Sequence, residues 1–407
     1  MRVVVLGCGG MGSYAARTAV SFSFVDELVV ADFDTGRAAE LAASVGTKAR
    51  PAQVDVRDRA ALSRLLRGAG AVLNTVGPFF RLGPSVLQAA IGERVPYFDI
   101  NDDWESTEAM LGLHAAAEQA GVFALIGIGA SPGISNLLVL RAMRELEQTD
   151  EIVAGFDLDA AMPEQRRPAP AAATIHGLHQ LTGRIRVYEH GTLRLAEPLQ
   201  RVEIAYPGLA THPAWTMGHP EAVTFHRWHP SLRTARVVMT TRHLFALRLL
   251  CRLIDLGLFS LDRAASWVER LEGVGRPVKS ADDYLQEIVR HRRLPPLFGL
   301  ARGMREGKPA SVAATIRAAP PVGMGGATGV PLAVALKVMQ PMIGDLRGVY
   351  TPEACVPAET FFDELAPFCV PRCRGETDLV LVTRSWESTD LVALLQKAQR
   401  QACSSPA

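Results

Sequence analysis

The chain has 407 residues, of which 48% are hydrophobic and 21% are charged, so it is long enough for two domains with large cores. Its 43 lysines and arginines balance 42 aspartates and glutamates, giving a formal net charge of +1. This balance offers no electrostatic basis for binding nucleic acid or an anionic membrane, so we expect neither as a partner.

The first 34 residues predict a β-α-β unit that binds a dinucleotide. Arg2–Leu6 is an apolar run typical of a buried parallel strand, residues 13–22 are predicted as a helix, and Glu27–Asp32 is the second strand. The G-x-G-x-x-G run between strand and helix permits a tight turn and a close approach of the backbone to a pyrophosphate. The residues expected to bind the cofactor here are Gly7, Gly9, Gly10, Met11 and Gly12.

Asp32 ends the second strand, twenty residues after Gly12. A carboxylate at this place can accept hydrogen bonds from both hydroxyls of the adenosine ribose, and its charge would repel a 2′-phosphate. We therefore expect NAD as the cofactor. Arg37 lies five residues further on and could meet a 2′-phosphate, so NADP stays open as the alternative.

Strands and helices continue to alternate up to about residue 135. The predicted helices are 35–45, 59–67, 84–93 and 110–120, and the predicted strands are 52–56, 71–76, 95–100 and 122–127. This alternation predicts an α/β fold with a doubly wound parallel sheet, the Rossmann arrangement, over residues 1–135. Ligands of such sheets bind beyond the carboxyl ends of the strands. The further cofactor contacts expected at these ends are Asp55, Val56, Asn74, Thr75, Gly77 and Pro78.

A second domain, which we expect to bind the substrate, is predicted over residues 136–326. Its β segments are 152–158, 191–195, 201–205, 222–227 and 235–241. Turn-rich stretches separate most of them, which is typical of a mixed or antiparallel sheet, so we expect an α+β domain. The other predicted elements of this domain are a proline-rich loop at 163–170, helices at 244–274 and 281–291, and a strand at 311–317. A helix at 332–342 is predicted in the segment that follows the domain.

Residues 243–258 form an apolar run that raises the question of a membrane span. Arg248, Arg252 and Asp255 interrupt the run, so it lacks the ~20 uninterrupted apolar residues that a span requires. We predict a buried or interface-forming amphipathic helix.

Three short motifs in a fixed order carry a family resemblance. Residues 74–79 read N-T-V-G-P-F, residues 95–100 read V-P-Y-F-D-I, and residues 131–136 read S-P-G-I-S-N. In this order and at these spacings they resemble the saccharopine dehydrogenase/reductase-like family. Residues 218–221 and 348–353 resemble it as well, whereas Ser131 stands where the family often has Asp.

The resemblance implies an NAD(P)-dependent oxidoreductase that acts on a C–N bond. Such an enzyme oxidises an amine of an amino-acid-like substrate to an imine, or reduces that imine. The resemblance also implies that residues 327–407 return to pack on the Rossmann domain, and we expect a homodimer. Two alternatives stay open: an enoyl-reductase-type enzyme of lipid metabolism, and a non-catalytic NAD(P)-binding redox sensor.

Substrate contacts are expected where Ser131, Pro132 and Gly133 leave the sixth strand and begin a helix. A helix N-terminus can hold a carboxylate through its backbone N–H groups. Arg184 can bind a carboxylate bidentately. Glu221, which follows His219 in a turn fixed by proline, is a further expected substrate contact.

Three side chains are candidates for the proton exchange that accompanies hydride transfer. The resemblance places a helix of the second domain over the nicotinamide, and His176 on that helix is the first candidate. Asp102, near the end of the fifth strand, and His219 are the rival acid/base candidates.

Histidine and cysteine spacings predict no metal site. His212, His219, His226 and His229 follow one another at spacings of seven, seven and three, which match no zinc pattern. The six cysteines include no C-x-x-C, and a disulfide at Cys8 would obstruct the phosphate loop, so we expect reduced thiols. A core strand beginning at residue 2 leaves no room for a signal peptide, so we expect a cytoplasmic protein.

Overall fold

The protein divides into two compact units. A computed structural model describes residues 1–160, 172–272, 286, 288–321 and 323–404. Unit 1 comprises Met1–Ile134 and Met324–Pro357, and unit 2 comprises Ser135–Gly323 and Ala358–Ala407. The predicted loop at 163–170 and most of the predicted helix at 281–291 lie outside the described residues.

The strands of the described residues are numbered in chain order. They are β1 (Arg2–Leu6), β2 (Glu27–Asp32), β3 (Ala49–Gln53), β4 (Ala71–Asn74), β5 (Tyr97–Asp99), β6 (Phe123–Leu125), β7 (Gln148–Asp157), β8 (Ile185–Glu189), β9 (Thr192–Ala196), β10 (Arg201–Ala205), β11 (Thr211–Thr216), β12 (Thr234–Thr240), β13 (Leu297–Arg305), β14 (Lys308–Ile316), β15 (Gly348–Tyr350) and β16 (Val380–Arg384).

The α-helices connect these strands. In unit 1 and at its border they are Gly10–Ala19, Thr35–Val45, Arg59–Leu66, Phe79–Gly92, Trp104–Leu111, His114–Ala120, Ile134–Met143, Gly323–Met339 and Pro352–Cys355. In unit 2 they are Ala172–His179, Glu221–Trp228, Leu244–Asp255, Leu261–Glu272, Ala358–Leu365, Glu376–Leu379 and Leu391–Ser404. In the described part of the chain, no helix combines the length and apolar character that a bilayer crossing needs.

Unit 1 is built on a parallel sheet of seven strands in the order β15-β6-β5-β4-β1-β2-β3. The central strands are apolar and buried, as strands covered on both faces must be. This arrangement confirms the predicted Rossmann sheet. The third strand runs over Ala49–Gln53 rather than residues 52–56, because its pairing with β2 places Gln53 beside Asp32.

The return of the chain to unit 1 is confirmed for part of the predicted segment. β15 pairs in parallel with β6 at the sheet edge, and the imidazole of His114 lies 3.0 Å from the carbonyl oxygen of Val349. The helix Gly323–Met339 packs so closely on the helix Gly10–Ala19 that a Cβ at Gly329 would lie 2.1 Å from the carbonyl oxygen of Met11. The glycine-rich sequence before Pro331 thus serves helix packing.

Residues 358–407 belong to unit 2, which corrects the prediction that the whole of 327–407 packs on the Rossmann domain. The reason is strand pairing, because β16 pairs antiparallel with β14. Charged side chains reinforce this attachment. The guanidinium of Arg384 donates to Glu145 at 2.9 Å, and Arg141 donates to both Glu145 and Glu376.

Unit 2 is built on a mixed sheet, as predicted. Its main path runs β10-β11-β12-β7-β13-β14-β16, and β8 pairs with β12 and β9. Within the described strands of this second sheet, β7 and β12 form the only parallel pair. The role of this unit as a substrate domain stays a prediction.

Two elements of unit 2 differ from the sequence predictions. Residues 222–227 form part of the helix Glu221–Trp228 instead of a strand, and Pro220 immediately precedes the first turn, where proline is favoured. The predicted helix at 244–274 is two helices, Leu244–Asp255 and Leu261–Glu272. Gly257, with a φ of +71°, follows the end of the first helix in a left-handed conformation that favours glycine.

Candidate functional site

The glycine loop of unit 1 joins β1 to the helix Gly10–Ala19 in a form that admits no larger side chain at two positions. Gly7 has a φ of +91°, and a Cβ at Gly12 would lie 1.8 Å from the carbonyl oxygen of Gly7. Gly9 is the N-cap of the helix. The first N–H groups of an α-helix have no partner within the helix, so Gly10, Met11 and Gly12 present the donors that a bound anion uses.

Asp32 braces this loop, a role that the sequence did not predict. Its carboxylate is buried at the end of β2. One oxygen accepts the backbone N–H of Cys8 at 2.8 Å, and the other accepts the N–H of Asp34 at 3.0 Å. The predicted ribose carboxylate is thus tied to the predicted phosphate loop. A carboxylate oxygen has a second lone pair, so each oxygen can still accept a ribose hydroxyl.

Arg37 and Asp55 both lie in local ion pairs. The Nε atom of Arg37 lies 3.3 Å from the carboxylate of Asp34, which also caps the helix Thr35–Val45. The carboxylate of Asp55 pairs with Arg57 at 2.7 Å, and this hydrogen-bonded pair lowers the pKa of Asp55 to about 2. Both Asp55 and the buried Val56 lie past the end of β3.

The end of β4 holds the glycine loop from its other side. The hydroxyl of Thr75 donates to the carbonyl oxygen of Leu6 at 2.8 Å and lies 3.2 Å from that of Gly7. The side chain of Asn74 accepts the N–H of Val76 at 3.0 Å. Gly77 and Pro78 follow and lead into the helix Phe79–Gly92. These predicted cofactor residues therefore lie beside the loop after β1.

A buried hydrogen-bond chain links the ends of β4, β5 and β6. Asn74 donates through Nδ2 to the Tyr97 hydroxyl at 2.9 Å, and that hydroxyl donates to the Asp99 carboxylate at 2.8 Å. The other oxygen of Asp99 accepts the N–H groups of Asn101 at 3.0 Å and Gly127 at 2.7 Å. Asp99 therefore positions two loops at the carboxyl edge of the sheet. The alternation of Tyr97 and Asp99 on one side of β5 is the sequence signal for this chain.

Burial raises the pKa of the Asp99 carboxyl to about 6, although the hydrogen bonds from Asn101, Gly127 and Tyr97 oppose this rise. The nearby Asp102 carboxylate raises it further. Asp102 lies in the turn between β5 and the helix Trp104–Leu111, next to Asp103, which accepts the N–H of Phe80 at 3.0 Å. Asp99 and Asp103 are fully buried at this edge, whereas Asp102 is partly exposed.

The loop of Ser131, Pro132 and Gly133 closes on itself before the helix Ile134–Met143. The N–H of Gly129 donates to the carbonyl oxygen of Pro132 at 2.8 Å. Gly133 has a φ of +120°, and a Cβ there would lie 2.2 Å from the carbonyl oxygen of Gly129. The glycine at 133 is therefore required by the loop itself, independently of any ligand.

Unit 2 brings three polar side chains into one buried cluster. The Nδ1 atom of His219 lies 2.5 Å from Oε2 of Glu221, and the Ser135 hydroxyl donates to Oε1 of Glu221 at 2.8 Å. The His219 ring packs against Phe156 with their centroids 5.5 Å apart. Sequence reasoning missed Ser135, because its partner is 86 residues away along the chain.

The cluster keeps Glu221 ionised. Burial alone would raise the pKa of Glu221, but the charge of His219 and the hydrogen bonds from His219 and Ser135 together hold it below its ordinary value. An ionised Glu221 accepts the Nδ1 proton of His219 and thereby fixes the tautomer of the ring.

The other two predicted site residues of unit 2, His176 and Arg184, differ in burial. His176 is buried on the helix Ala172–His179. Arg184 is exposed, and its guanidinium donates to the carbonyl oxygen of Leu195 at 2.9 Å. Arg184 therefore has a structural contact to β9, and its contact to a substrate carboxylate stays a prediction.

A cavity of about 370 Å³ in the sheet of unit 2 contains none of the predicted site residues. Its walls carry Arg194, Arg201 and Arg236. Each of these cations is paired with a glutamate: Arg194 and Arg236 with Glu189, and Arg201 with Glu203. The cavity therefore presents no unneutralised guanidinium to an anionic substrate.

Comparisons with known proteins agree with this architecture. Residues 3–125 match the family model "saccharopine dehydrogenase NADP binding domain". A carboxyaminopropylagmatine dehydrogenase from Synechocystis sp. (strain ATCC 27184 / PCC 6803 / Kazusa) is 23% identical over 250 residues, which are 59% of this chain and 62% of that relative. Apo saccharopine dehydrogenase (L-Glu forming) from Saccharomyces cerevisiae has a TM-score of 0.59 at 14% identity, covering 94% of this chain and 99% of that structure. These matches agree with the family that the three motifs resemble, and the predicted fold is confirmed.

The raised pKa of Asp99 predicts a pH dependence of stability. Because its folded pKa of about 6 exceeds its ordinary 3.8, the ionisation of Asp99 destabilises the folded protein increasingly as the pH rises through this interval. Asp99→Asn cannot ionise. The free energy of unfolding of the variant, minus that of the wild type, should therefore increase by about 2 kcal/mol between about pH 4 and pH 7.

Urea unfolding of both proteins at the two pH values measures this difference. Tyr97→Phe is the matched control, since it removes a hydrogen bond that lowers the pKa of Asp99 while keeping the carboxyl. It should move the same transition to higher pH. A difference between Asp99→Asn and wild type that stays constant with pH would contradict the assignment.

Proposed function

We propose that this chain, a member of the saccharopine dehydrogenase-like family, is an NAD(P)-dependent oxidoreductase acting on a C–N bond of an amino-acid-like substrate. The observation that carries the proposal is the glycine loop braced by Asp32, whose carboxylate accepts the N–H of Cys8 at 2.8 Å. A loop of this form, followed at once by a helix N-terminus, suits the pyrophosphate of a dinucleotide.

The chain supplies binding and orientation, and a nicotinamide dinucleotide supplies the hydride chemistry when bound. The absence of a Cβ at Gly12 keeps the helix close to the loop, and the N–H groups of residues 10–12 would hold the pyrophosphate. Asn74, Thr75, Gly77 and Pro78 lie past the end of β4, where we propose that they border the nicotinamide half.

We propose NAD as the preferred cofactor. The buried carboxylate of Asp32 is fixed at the end of β2 and would repel a 2′-phosphate. Arg37, the residue that could compensate, is paired with Asp34 at 3.3 Å. For the site to accept a 2′-phosphate, Arg37 would have to leave the carboxylate of Asp34. The phosphate would in addition bring a negative charge close to the carboxylate of Asp32.

The substrate class is proposed from the relatives. They are named as dehydrogenases of saccharopine and of carboxyaminopropylagmatine. We propose an amino-acid-like amine for this chain, with Ser131, Pro132 and Gly133 at the start of the helix Ile134–Met143 as a carboxylate seat. Arg184 is the proposed second contact to a carboxylate.

Proton transfer is assigned to His176, with His219 and Asp102 as the rival groups. Glu221 takes a modified role, because both of its oxygens already accept hydrogen bonds, from His219 and Ser135. We propose that Glu221 acts on the substrate through His219, whose Nδ1 tautomer it fixes. A cytoplasmic location and a homodimeric state complete the proposal.

The test of the proposal is a panel assay of cofactor oxidation. Purified protein is mixed with NADH or NADPH and with keto acids paired with amines, and absorbance of the reduced cofactor is followed. Turnover with at least one keto acid–amine pair is expected. Cofactor binding without turnover on this panel would contradict the proposal, and turnover on a parallel panel of enoyl thioesters would replace it with the lipid-reductase alternative.

Asp32→Asn should change the choice of cofactor. The variant keeps the shape of the side chain and removes the charge that faces the ribose, so the ratio of NADPH affinity to NADH affinity should rise at least ~10-fold. Fluorescence titration with both cofactors measures this ratio. Arg37→Ala is the control, and it should leave NADPH affinity nearly unchanged; a loss of NADPH binding there would assign the phosphate contact to Arg37.

His176→Ala should lower kcat by ~10²-fold, the effect of losing a general acid or base, while NADH affinity stays the same. Steady-state kinetics on the substrate found in the panel assay provides the measurement. His179→Ala, one turn further on the same helix, is the matched control and should keep kcat. An unchanged kcat in His176→Ala would move the proton transfer to His219 or Asp102.

A further inference from the structure

A buried serine of unit 2 is hydrogen-bonded to a carboxylate that lies far away along the chain. Ser135 is in the first turn of the helix Ile134–Met143 and is fully buried. Its hydroxyl lies 2.8 Å from Oε1 of Glu221 and 3.2 Å from Oδ1 of Asn136. A hydroxyl has one proton, and a charged acceptor gives the stronger and shorter hydrogen bond. Ser135 therefore donates its proton to Glu221.

The other oxygen of Glu221 is bonded to His219. Oε2 lies 2.5 Å from Nδ1 of the imidazole, and both residues are buried. A buried carboxylate has lost its hydration, so its oxygens depend on donors within the protein. With Ser135 on one oxygen and His219 on the other, the carboxylate cannot rotate about its last side-chain bond without breaking a hydrogen bond. The bond from Ser135 thus fixes the direction in which Oε2 points.

The position of the His219 ring is set by contacts that do not involve Ser135. The N–H of Gly218 donates to the carbonyl oxygen of Gln180 at 2.9 Å, which fixes the backbone just before His219. The ring itself packs against Phe156, with the two ring centroids 5.5 Å apart. These contacts determine where the imidazole lies, whereas Ser135 acts on the orientation of the carboxylate that faces it.

The orientation of the carboxylate decides which nitrogen of His219 carries the proton when the ring is neutral. Burial raises the pKa of Glu221, but the charge of His219 and the hydrogen bonds from His219 and Ser135 hold it below its ordinary value, so Glu221 is ionised. An ionised carboxylate has no proton to donate, so Nδ1 supplies the proton of this bond. In the neutral ring Nε2 is then the acceptor.

We propose that Ser135 is a positioning residue for proton transfer, and this inference rests on the proposed function, in which His219 is one of the proton-transfer groups. By holding Oε1 of Glu221, the Ser135 hydroxyl keeps Oε2 on Nδ1 of His219 and the ring in the tautomer whose Nε2 accepts a proton. When an amine is oxidised, the C–H bond breaks as hydride leaves to the nicotinamide, and Nε2 takes the proton of the nitrogen. Ser135 touches none of the reacting atoms and acts through Glu221.

Proton exchange at Nδ1 of His219 tests the positioning without any substrate. In the full chain labelled with nitrogen-15 histidine, the proton shared with Glu221 should give a downfield NMR resonance that is absent from His219→Gln. Ser135→Ala should speed the exchange of this proton with water at least ~10-fold, the effect of losing one hydrogen bond to a charged group. An exchange rate equal to that of the wild type overturns the proposal.

Thr224→Val is the matched control. Thr224 is buried on the helix that begins with Glu221, and its hydroxyl has no hydrogen-bond partner among the described residues. The control should keep the exchange rate of the wild type, and an acceleration equal to that of Ser135→Ala overturns the proposal. If Ser135→Ala fails to fold, Ser135→Cys replaces it. Its thiol is a weaker donor, so it should give faster exchange than the wild type, and a wild-type rate there overturns the proposal.

Steady-state kinetics shows whether the positioning serves the reaction. With the substrate found in the panel assay, Ser135→Ala should lower kcat ~10-fold with little change in KM. The acid limb of its kcat/KM profile should move to higher pH, because loss of the bond from Ser135 raises the pKa of Glu221. A wild-type profile in Ser135→Ala overturns the proposal. A wild type without turnover is a failure of the proposed function instead, and the exchange rates then decide alone whether Ser135 positions Glu221.

Discussion

Contact between backbones around the helix Gly10–Ala19 is the constraint on which unit 1 depends. On one side, a Cβ at Gly12 would lie 1.8 Å from the carbonyl oxygen of Gly7, and on the other a Cβ at Gly329 would lie 2.1 Å from that of Met11. The helix is therefore fixed between the first strand and the helix Gly323–Met339. The N-terminus of this helix, where an anion would bind, is therefore fixed in position as well. The loop that precedes it is held by hydrogen bonds to the Asp32 carboxylate and from the Thr75 hydroxyl.

Three buried carboxylates illustrate how the protein places charge away from water. Asp32 accepts two backbone N–H groups, and Glu221 has both a histidine and a serine hydroxyl as partners. Asp99 has hydrogen-bond donors but no opposite charge among its named partners, and burial raises its pKa to about 6, whereas the charge of His219 helps to hold the pKa of Glu221 below its ordinary value. The difference follows from the balance of desolvation against a nearby positive charge.

The parts of the fold that depend on local sequence were predictable, and the parts that depend on distant pairing were not. Glycine spacing and apolar runs predicted β1, β2 and the helix between them, because each signal lies within a few residues. Residues 222–227 read as a strand because they contain valine, threonine and phenylalanine, yet they form a helix whose residues 221–225 are all buried. The same limit applies to the site: the glycines and Asp32 were found, whereas Ser135 and the link from Asn74 through Tyr97 to Asp99 are visible only once the strands are side by side.

Unit 1 is assembled from two stretches of chain, and this has a consequence for its synthesis on the ribosome. The first 134 residues leave the exit tunnel long before Met324–Pro357, so β6 begins as the outermost strand with one row of backbone groups unpaired. All of the residues that intervene must be translated before β15 can cover that edge. The nascent Rossmann sheet is thus incomplete while most of unit 2 is being synthesised. Multidomain proteins usually complete the N-terminal domain first during synthesis, and this chain cannot follow that order.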